Sequence, residues 1–202
     1  MARPTTPAKP SAPKRRRADA DRSVAAILDA ALEALASDPD SSMSEIARRA
    51  GVVRATIYVH FPTRTALLDA VMEHAVAQVV EAMSGAEPQR GEPVEALERV
   101  LRATWRQLAH FHALLALNTA RLSAEELHRR HVPMLDQLEP LIKRGQKQGV
   151  FRSDLPVAWH LAVIRAIVHT ASREIQGGRI PESKAEAAML STAFAAISKR
   201  SS

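Results

Sequence analysis

The stretch that decides the fold covers residues 42–68 and reads SMSEIARRAGVVRATIYVHFPTRTALL. Ser42 followed three residues later by Glu45 is the capping-box pattern of a helix start. Gly51 supplies the positive φ that a tight turn between two helices needs, and Pro62 ends a second short helical pattern. The stretch therefore predicts two short helices joined by a turn, which is the helix-turn-helix arrangement.

The spacing of the apolar residues and the local charge also favour a helix-turn-helix. Ile46, Val52 and Ile57 have the spacing that fills a small core between two crossing helices. Residues 41–64 contain four arginines and a single acid, Glu45. A basic second helix can present its N-terminal half to the major groove of DNA. Spacing alone leaves open an ordinary pair of helices with a glycine turn.

The helical period continues on both sides of this stretch. From residue 20 onward apolar residues recur at three- and four-residue spacing, and we find no alternating strand pattern, no hairpin turn and no repeat. We predict an all-α fold with an arm over 1–18, a helix-turn-helix unit over 19–64 and a larger helical part over 65–202. In that last part, we expect Pro133 and Pro140 to kink or split one helix.

The net charge of +6 lies in the N-terminal arm. Residues 1–18 hold six basic residues and no acid, and the rest of the chain is balanced at 22 acidic groups against 22 basic ones. Prolines at every third position favour an extended polyproline II conformation there, with disorder expected throughout the arm. We expect Lys14, Arg15, Arg16 and Arg17 to contact DNA phosphates or the minor groove; a merely solubilising tail is the alternative.

Composition excludes several classes of protein. The chain has no cysteine, which excludes disulfides, thiol nucleophiles and cysteine-ligated metals. Four Phe, two Trp and one Tyr are too few for a reader of single-stranded nucleic acid built on aromatic stacking. No apolar run approaches the roughly 18 residues of a membrane span, so we expect a soluble protein in the cytoplasm, associated with the nucleoid.

The motif Ile46-Ala47-x-x-Ala50-Gly51-Val52, followed by Thr56-Ile57-Tyr58-x-His60-Phe61-Pro62 and Leu67-Leu68, resembles the N-terminal domain of the tetracycline-repressor (TetR) family. The resemblance implies a homodimer that binds a near-palindromic DNA operator. It also implies a C-terminal helical domain that binds an effector and dimerises, and it places residues 149–156 in the connector before the dimerising helices.

The resemblance also assigns DNA contacts. The residues implied are Ser42, Arg54, Ala55, Thr56, Tyr58, Val59, His60 and Arg64. Within this set, Ser42 would cap the second helix and touch phosphate, and Arg64 would touch phosphate at the start of the fourth helix. Arg can bind guanine through two hydrogen bonds, and hydroxyl groups suit phosphate oxygens. Val53 stands where the family usually has Ser or Thr, so the recognition helix is expected to lack its N-cap.

An effector cavity is expected in the C-terminal part. The candidate lining residues are Trp105, Phe111, Met134, Trp159 and His169, with plain core packing as the alternative for each. Glu125, His128 and His131 could form a metal-binding face, but a solvated charged stripe is the preferred interpretation, and we expect no metal and no cofactor. We also expect Asp154 to cap the helix that follows it.

These patterns predict a sequence-specific DNA-binding transcriptional regulator, and a ligand-responsive repressor in particular. We find no catalytic motif and expect no enzymatic activity. Two other classes stay open: a constitutive architectural DNA-binding protein without an effector cavity, and a helical enzyme or carrier that has kept the helix-turn-helix as a relic. The expected partners are an operator in double-stranded DNA, an unidentified small-molecule effector and a second copy of the chain, with no membrane.

Overall fold

A computed structural model describes residues 12–109 and 123–199 of the chain. Within these ranges the secondary structure is helical apart from one isolated bridge between Phe151 and Ser198, so the all-α prediction is confirmed. The described helices are α1 (Ala12–Ser37), α2 (Met43–Arg49), α3 (Arg54–His60), α4 (Arg64–Gly85), α5 (Pro93–Ala109), α6 (Ala124–Lys147), α7 (Val157–Gln176) and α8 (Glu182–Ile197). No helix in the described ranges is long and apolar enough to cross a membrane.

Helix α1 begins earlier than the sequence predicts. It starts at Ala12, so residues 12–18, expected in a disordered arm, form its first turns. Proline is tolerated in a first turn, where its missing N–H has no partner to lose, and Pro13 lies there. The Lys and Arg residues that follow are good helix formers. The four basic residues from Lys14 to Arg17 thus belong to α1, and residues 1–11 lie outside the described ranges.

The helix-turn-helix unit has a hydrophobic core of its own. Helices α1, α2 and α3 and the N-terminal half of α4 pack around it. Its buried side chains are Ile27, Ala31, Leu32, Ala34, Leu35, Met43, Ile46, Ala47, Ile57, Phe61, Leu67, Val71, Met72 and Ala75. Each short helix contributes few apolar residues, so their stability depends on this packing rather than on helix propensity.

A second core lies between the C-terminal half of α4 and helices α5 to α8. Val79 and Met83 of α4 belong to this core, whereas Ala75 belongs to the first. The two cores therefore meet inside α4, between residues 75 and 79. The domain division after Arg64 stays a prediction, and α4 is the element shared by both parts.

Helix α6 is continuous through both of its prolines, so of the expected kink or split, the split is wrong. Pro133 and Pro140 are exposed, so the carbonyl groups that lose their N–H partner one turn earlier can face water. The connector after α6 turns at Gly149, which has a φ of +74°, and buries Phe151. The Phe151 ring occupies the space that a Cβ on Gly145 would fill, which seats the connector against the end of α6.

Asp154 does not cap α7, contrary to the expectation. Its carboxylate accepts hydrogen bonds from Arg152, with 2.8 Å between Arg152 Nε and Asp154 Oδ1. The guanidinium lowers the pKa of Asp154 to about 2. The N-cap residue of α7 is Pro156, which makes no side-chain cap. Asp154 stands two residues before that position and is already held by Arg152.

Candidate nucleic-acid interface and ligand cavity

Ser42 caps α2, as the sequence predicts. Its hydroxyl oxygen accepts a hydrogen bond from the backbone N–H of Glu45 across 3.1 Å. The reciprocal half of the capping box does not form, because the Glu45 carboxylate instead binds Arg48 and Arg49 at 2.6 and 2.9 Å. Hydrogen bonds from these two arginines lower the pKa of Glu45 to about 2. Both cations of α2 are thus paired with the same carboxylate, which leaves one net positive charge among the three side chains.

The turn between α2 and α3 has the predicted geometry. Gly51 has a φ of +67°, and the N–H of Val52 donates to Ala47 O at 3.0 Å. Ile57 is fully buried and anchors α3 to the core. Val53 occupies the N-cap position with extended backbone and no side-chain cap, and 71% of it is exposed. The predicted loss of the cap on the recognition helix is confirmed.

The outward face of α3 carries the residues assigned to DNA. Arg54, Ala55, Tyr58 and Val59 are exposed, and Thr56 and His60 are half-buried. The Arg54 guanidinium lies over the Tyr58 ring, 5.5 Å from its centroid, and its Nη2 lies 3.5 Å from the Tyr58 hydroxyl oxygen. This pairing orders a cation and a hydroxyl side by side on an exposed helix. Their contact with DNA stays a prediction.

Arg64 has structural partners that sequence reasoning missed. Its guanidinium donates to the backbone carbonyls of Ser41 and Pro39, the latter at 2.7 Å. The Ser41 hydroxyl in turn donates to Ala34 O of α1 at 3.2 Å. Arg64 therefore fastens the turn between α1 and α2 to the first residue of α4. These contacts span more than 20 residues, so no local pattern could have indicated them.

A cavity of about 90 Å³ lies between α4, α5, α6 and α7. Its described lining residues are Met72, Ala75, Val76, Val79, Met83, Leu101, Thr104, Leu108, Leu127, Arg130, His131, Met134, Leu135, Leu138, Leu161, Ile164, Arg165, Val168 and His169. Two of the five predicted pocket residues, Met134 and His169, are among them. The cavity extends to the N-terminal half of α4 at Met72, so it touches both cores.

The other three pocket predictions have different outcomes. Trp105 is buried in the second core but does not line the cavity. The prediction for Trp159 is wrong, because 56% of it is exposed. Trp159 precedes the buried Leu161 by two residues, which at about 100° per residue places it on the far side of α7. Phe111 lies outside the described residues.

The two cavity histidines contact each other. His131 Nε2 and His169 Nε2 are 2.8 Å apart, and His131 Nδ1 lies 2.6 Å from Leu127 O. A carbonyl can only accept, so Nδ1 of His131 carries the proton and Nε2 of His169 donates to His131. Burial lowers the pKa of both imidazoles, that of His169 to about 4, where His131 and Arg165 add repulsion.

His131 is therefore not part of a solvated stripe. Glu125 and His128 are exposed, as expected, but His131 is buried. It follows Leu127 by four residues and precedes Met134 by three, a spacing that places all three on the cavity side of α6. This helical spacing could have been used to predict from the sequence that His131 faces the cavity. Within the described ranges no group of three or more potential metal ligands comes together.

Two arginines border the cavity. Arg130 binds Glu126 through Nε and Asp69 through Nη2, at 3.4 and 3.1 Å, and its Nη1 is buried with no partner among the described residues. Arg165 is half-buried and makes no hydrogen bond or ion pair within the described part of the chain. The described lining contains no aspartate, glutamate or lysine. The polar part of this cavity is thus cationic.

Comparison with known proteins places both parts of the chain. Residues 27–71 match the model of the bacterial regulatory proteins of the tetR family, and residues 93–174 match the tetracyclin repressor-like C-terminal domain. The chain is 28% identical over 134 residues to the transcriptional regulator NfxB of Pseudomonas aeruginosa, covering 65% of this chain and 71% of NfxB. It is 39% identical over 83 residues to the transcriptional repressor LfrR of Mycolicibacterium smegmatis, covering 41% of this chain and 44% of LfrR.

Solved structures agree over nearly the whole fold. The LfrR structure in complex with proflavine is 23% identical, covers 89% of this chain and 98% of its own, and has a TM-score of 0.65. The TetR regulatory protein from Mycobacterium vanbaalenii is 33% identical, covers 81% of this chain and 98% of its own, and has a TM-score of 0.60. With its helix-turn-helix unit and its helical C-terminal part both matched, this chain belongs to the TetR family and is a DNA-binding transcriptional regulator.

Proposed function

We propose that this chain is a ligand-responsive repressor that binds a near-palindromic DNA operator as a homodimer. One observation carries the proposal: α4 begins beside the helix-turn-helix unit at Arg64 and lines the cavity from Met72 to Met83. A ligand in the cavity therefore contacts the helix on which the DNA-binding unit is mounted. A ligand that favours one position of α4 would shift the population of DNA-binding conformers.

For DNA, the outward face of α3 would enter the major groove. Arg54 would bind a guanine edge, the methyl groups of Val59 would meet a thymine methyl, and Tyr58 would donate to a phosphate. The remaining proposed contacts are Ser42, Ala55, Thr56, His60, Arg64 and the basic residues Lys14, Arg15, Arg16 and Arg17. In a dimer, the two half-sites would lie about 34 Å apart or a multiple of it. Such a target places the protein at the nucleoid, in the cytoplasm.

The second copy would pack on α7 and α8. Exposed residues of α7 at Trp159, Ala166 and Thr170 follow helical spacing along one face, as do Ala188, Ser191 and Ala195 on α8. Most of these side chains are small, so two copies can approach closely, and an exposed tryptophan is a typical interface anchor. Two such helices from each copy would form a four-helix interface.

The relatives support a small-molecule effector. LfrR is named a repressor and was crystallised in complex with proflavine. In this chain the cavity would bind its ligand without transforming it. The Thr104 hydroxyl is engaged with Val100 O at 2.8 Å, the two imidazoles are engaged with each other and with Leu127 O, and the described lining offers no carboxylate or thiol as a nucleophile.

Selection of bound DNA from a random pool tests the proposal. We expect an enriched near-palindrome, bound by the wild type as a dimer. Arg54→Ala should lower affinity for it by about 1–3 kcal/mol and relax the preference at one base pair in each half-site. Arg90→Ala, which removes an exposed arginine from the loop after α4, is the matched control and should change neither. A pool without an enriched palindrome would refute the operator.

Sedimentation tests the dimer separately. Wild type should sediment as a dimer at micromolar concentration, and Trp159→Glu should shift it toward the monomer. A wild type that is monomeric at that concentration would refute the four-helix interface.

A further inference from the structure

The polar groups of the cavity gather at the seam between α6 and α7. Arg130 and His131 are consecutive on α6, and Arg165 precedes His169 by one turn on α7. The imidazoles are in contact, and Arg165 is close enough to both to oppose their protonation. The rest of the lining is aliphatic or methionine apart from Thr104. The cavity thus has an apolar body and one cationic end.

Two hydrogen-bonding groups at this end have no partner among the described residues. Arg165 is half-buried and makes neither a hydrogen bond nor an ion pair there, so its guanidinium is free to bind a ligand. Nη1 of Arg130 is buried without an acceptor, which is unfavourable for a charged group away from water. The acids that hold the rest of the Arg130 guanidinium, Glu126 and Asp69, do not line the cavity. An acceptor is therefore missing at the cationic end.

Cations and pure hydrocarbons fit these groups poorly. A cation would meet two arginines without an acid in the described lining, and a hydrocarbon would leave Nη1 of Arg130 without an acceptor. A neutral acceptor could pair with Nη1 but would not balance the positive charge. A metal ion bound by His131 and His169 would face the same two positive charges, and no third ligand lies near in the described ranges. An anion with an apolar body satisfies both ends.

We infer that the ligand of this cavity is a small apolar carboxylic acid, its carboxylate bound by Arg165 and by Nη1 of Arg130. The inference rests on the proposed function, since it treats the cavity as the effector site. Arginine binds carboxylate through charge-assisted, often paired hydrogen bonds, which are stronger than neutral ones. The alkyl or aryl part lies among the leucine and methionine side chains.

Cavity size sets the first probes. The volume of about 90 Å³ is below the ~150 Å³ of an engineered cavity that binds benzene, so the ligand is small or the lining yields. Met72, Met83 and Met134 line the cavity, and methionine adapts its shape more readily than branched side chains. A six-carbon series is therefore suitable: hexanoate, 1-hexanol and hexylammonium, which share the chain and differ in the head group.

Calorimetric titration of the full-length protein with each probe tests the inference. Hexanoate should bind roughly tenfold more tightly than 1-hexanol, and hexylammonium more weakly than both. Arg165→Gln should abolish the preference for the acid, and Arg165→Lys, which keeps the charge, should retain part of it. Lys143→Gln removes an exposed positive charge from α6 and should leave all three affinities unchanged. Thermal melting verifies that each variant is folded.

Equal binding of hexanoate and hexanol overturns the inference, as does tightest binding of hexylammonium or no binding of hexanoate at millimolar concentration. Fluorescence anisotropy measures release of the operator, and it distinguishes a wrong ligand class from a wrong proposed function. If a selected operator is released by another small molecule but the acid preference is absent, only the ligand class is wrong. If no operator is enriched, the repressor proposal is wrong, and the calorimetric preference still tests the cavity.

Discussion

Nη2 of Arg130 donates to Asp69 Oδ1 across 3.1 Å, joining α6 to the N-terminal half of α4. The same guanidinium borders the cavity and keeps its buried Nη1 unpaired within the described part of the chain. One side chain thus contacts both the ligand space and the helix that carries the DNA-binding unit. A carboxylate bound at Nη1 would draw the guanidinium toward the cavity and so weaken its bond from Nη2 to Asp69, which ties α6 to α4.

Removing the ion pair between Arg130 and Asp69 should uncouple ligand binding from DNA binding. Asp69→Asn should lower operator affinity without ligand by about twofold to fivefold, since a partly exposed ion pair contributes up to about 1 kcal/mol. Release of the operator by hexanoate should be blunted, because the ion pair it disturbs is already absent. Fluorescence anisotropy with and without hexanoate measures both. Glu126→Gln, which removes a partner of Arg130 within α6, should leave release intact; equal blunting in both variants would contradict the coupling.

Restoring the missing cap should strengthen the recognition helix. Val53→Thr is nearly isosteric, and an N-cap hydroxyl contributes about 1 kcal/mol. Because Val53 is largely exposed and its backbone is already extended, the change removes little packing. Chemical denaturation should report the gain. Val59→Thr, at a position 77% exposed but within α3, offers no cap and should not stabilise; a gain of equal size there would argue against capping.

Arg64 distinguishes a structural role from a phosphate contact. Arg64→Gln should reduce the free energy of unfolding by about 1–3 kcal/mol, since it removes the charged donor to the carbonyls of Pro39 and Ser41. The slope of log operator affinity against log salt should also fall by about 0.9, since Arg64 is a proposed phosphate contact. An unchanged slope would show that Arg64 acts only through the turn between α1 and α2. Denaturation and a salt titration of binding decide between the two.

Stability should fall with acid between about pH 6.5 and pH 4. Burial lowers the pKa of His131 and brings that of His169 to about 4, below the ordinary histidine value of about 6.5. Below pH 6.5 the unfolded chain binds protons that the folded chain excludes, so the stability present at neutral pH is progressively lost. For His169 alone the loss is on the order of 3 kcal/mol by pH 4.

Denaturation at several pH values measures this loss. His169→Gln keeps a donor toward His131 but does not titrate, so it should flatten the profile above pH 4, whereas His128→Gln, at an exposed position on α6, should not. Glu45 and Asp154 lose their contribution as the pH falls from their ordinary pKa values of 4.5 and 3.8 toward about 2, so most of that loss lies below pH 4. A wild-type profile that is level from pH 7 to pH 4 would contradict the burial of the pair.

The basic residues at the start of α1 should govern salt dependence. Replacing Lys14, Arg15, Arg16 and Arg17 together by glutamine preserves helix propensity and removes four charges. The slope of log affinity against log salt should flatten by up to ~0.9 for each phosphate that the variant no longer binds, with operator preference unchanged. Deleting residues 1–11, which leaves these four in place, is the control. An unchanged slope in the glutamine variant would favour a solubilising tail.

The helix-turn-helix was predictable because its determinants are local. Ser42, Gly51, Ile57 and Pro62 act within about one turn of their positions, through a cap, a positive φ, a core contact and a helix stop. The absence of an N-cap on α3 was predictable in the same way, because Val53 has no hydroxyl to accept a hydrogen bond.

Contacts between distant segments were not predictable in this way. Arg64 finds its carbonyl partners 23 and 25 residues away, and His131 meets His169 across 38 residues. Which face of α7 is buried depends on how α7 packs against α5, α6 and α8, so the sequence alone could not show that Trp159 lies outside. The cap predicted for Asp154 is wrong because its carboxylate binds Arg152, two residues earlier, and Pro156 occupies the N-cap position of α7.

The hydrogen bonds of Arg64 connect movements of α4 to the position of the helix-turn-helix unit. Because Arg64 holds the turn between α1 and α2, a displacement of the first residue of α4 would be passed on to the helix-turn-helix unit. Fifteen residues separate Arg64 from the cavity residue Val79, about 22 Å at 1.5 Å per residue. If α4 tilts by about 5° at the cavity, its first residue moves by about 2 Å over that length, and the recognition helix α3 moves with it. In a symmetric dimer the displacement doubles. A small ligand can therefore shift the distance between the two recognition helices away from the half-site spacing that the pitch of DNA sets.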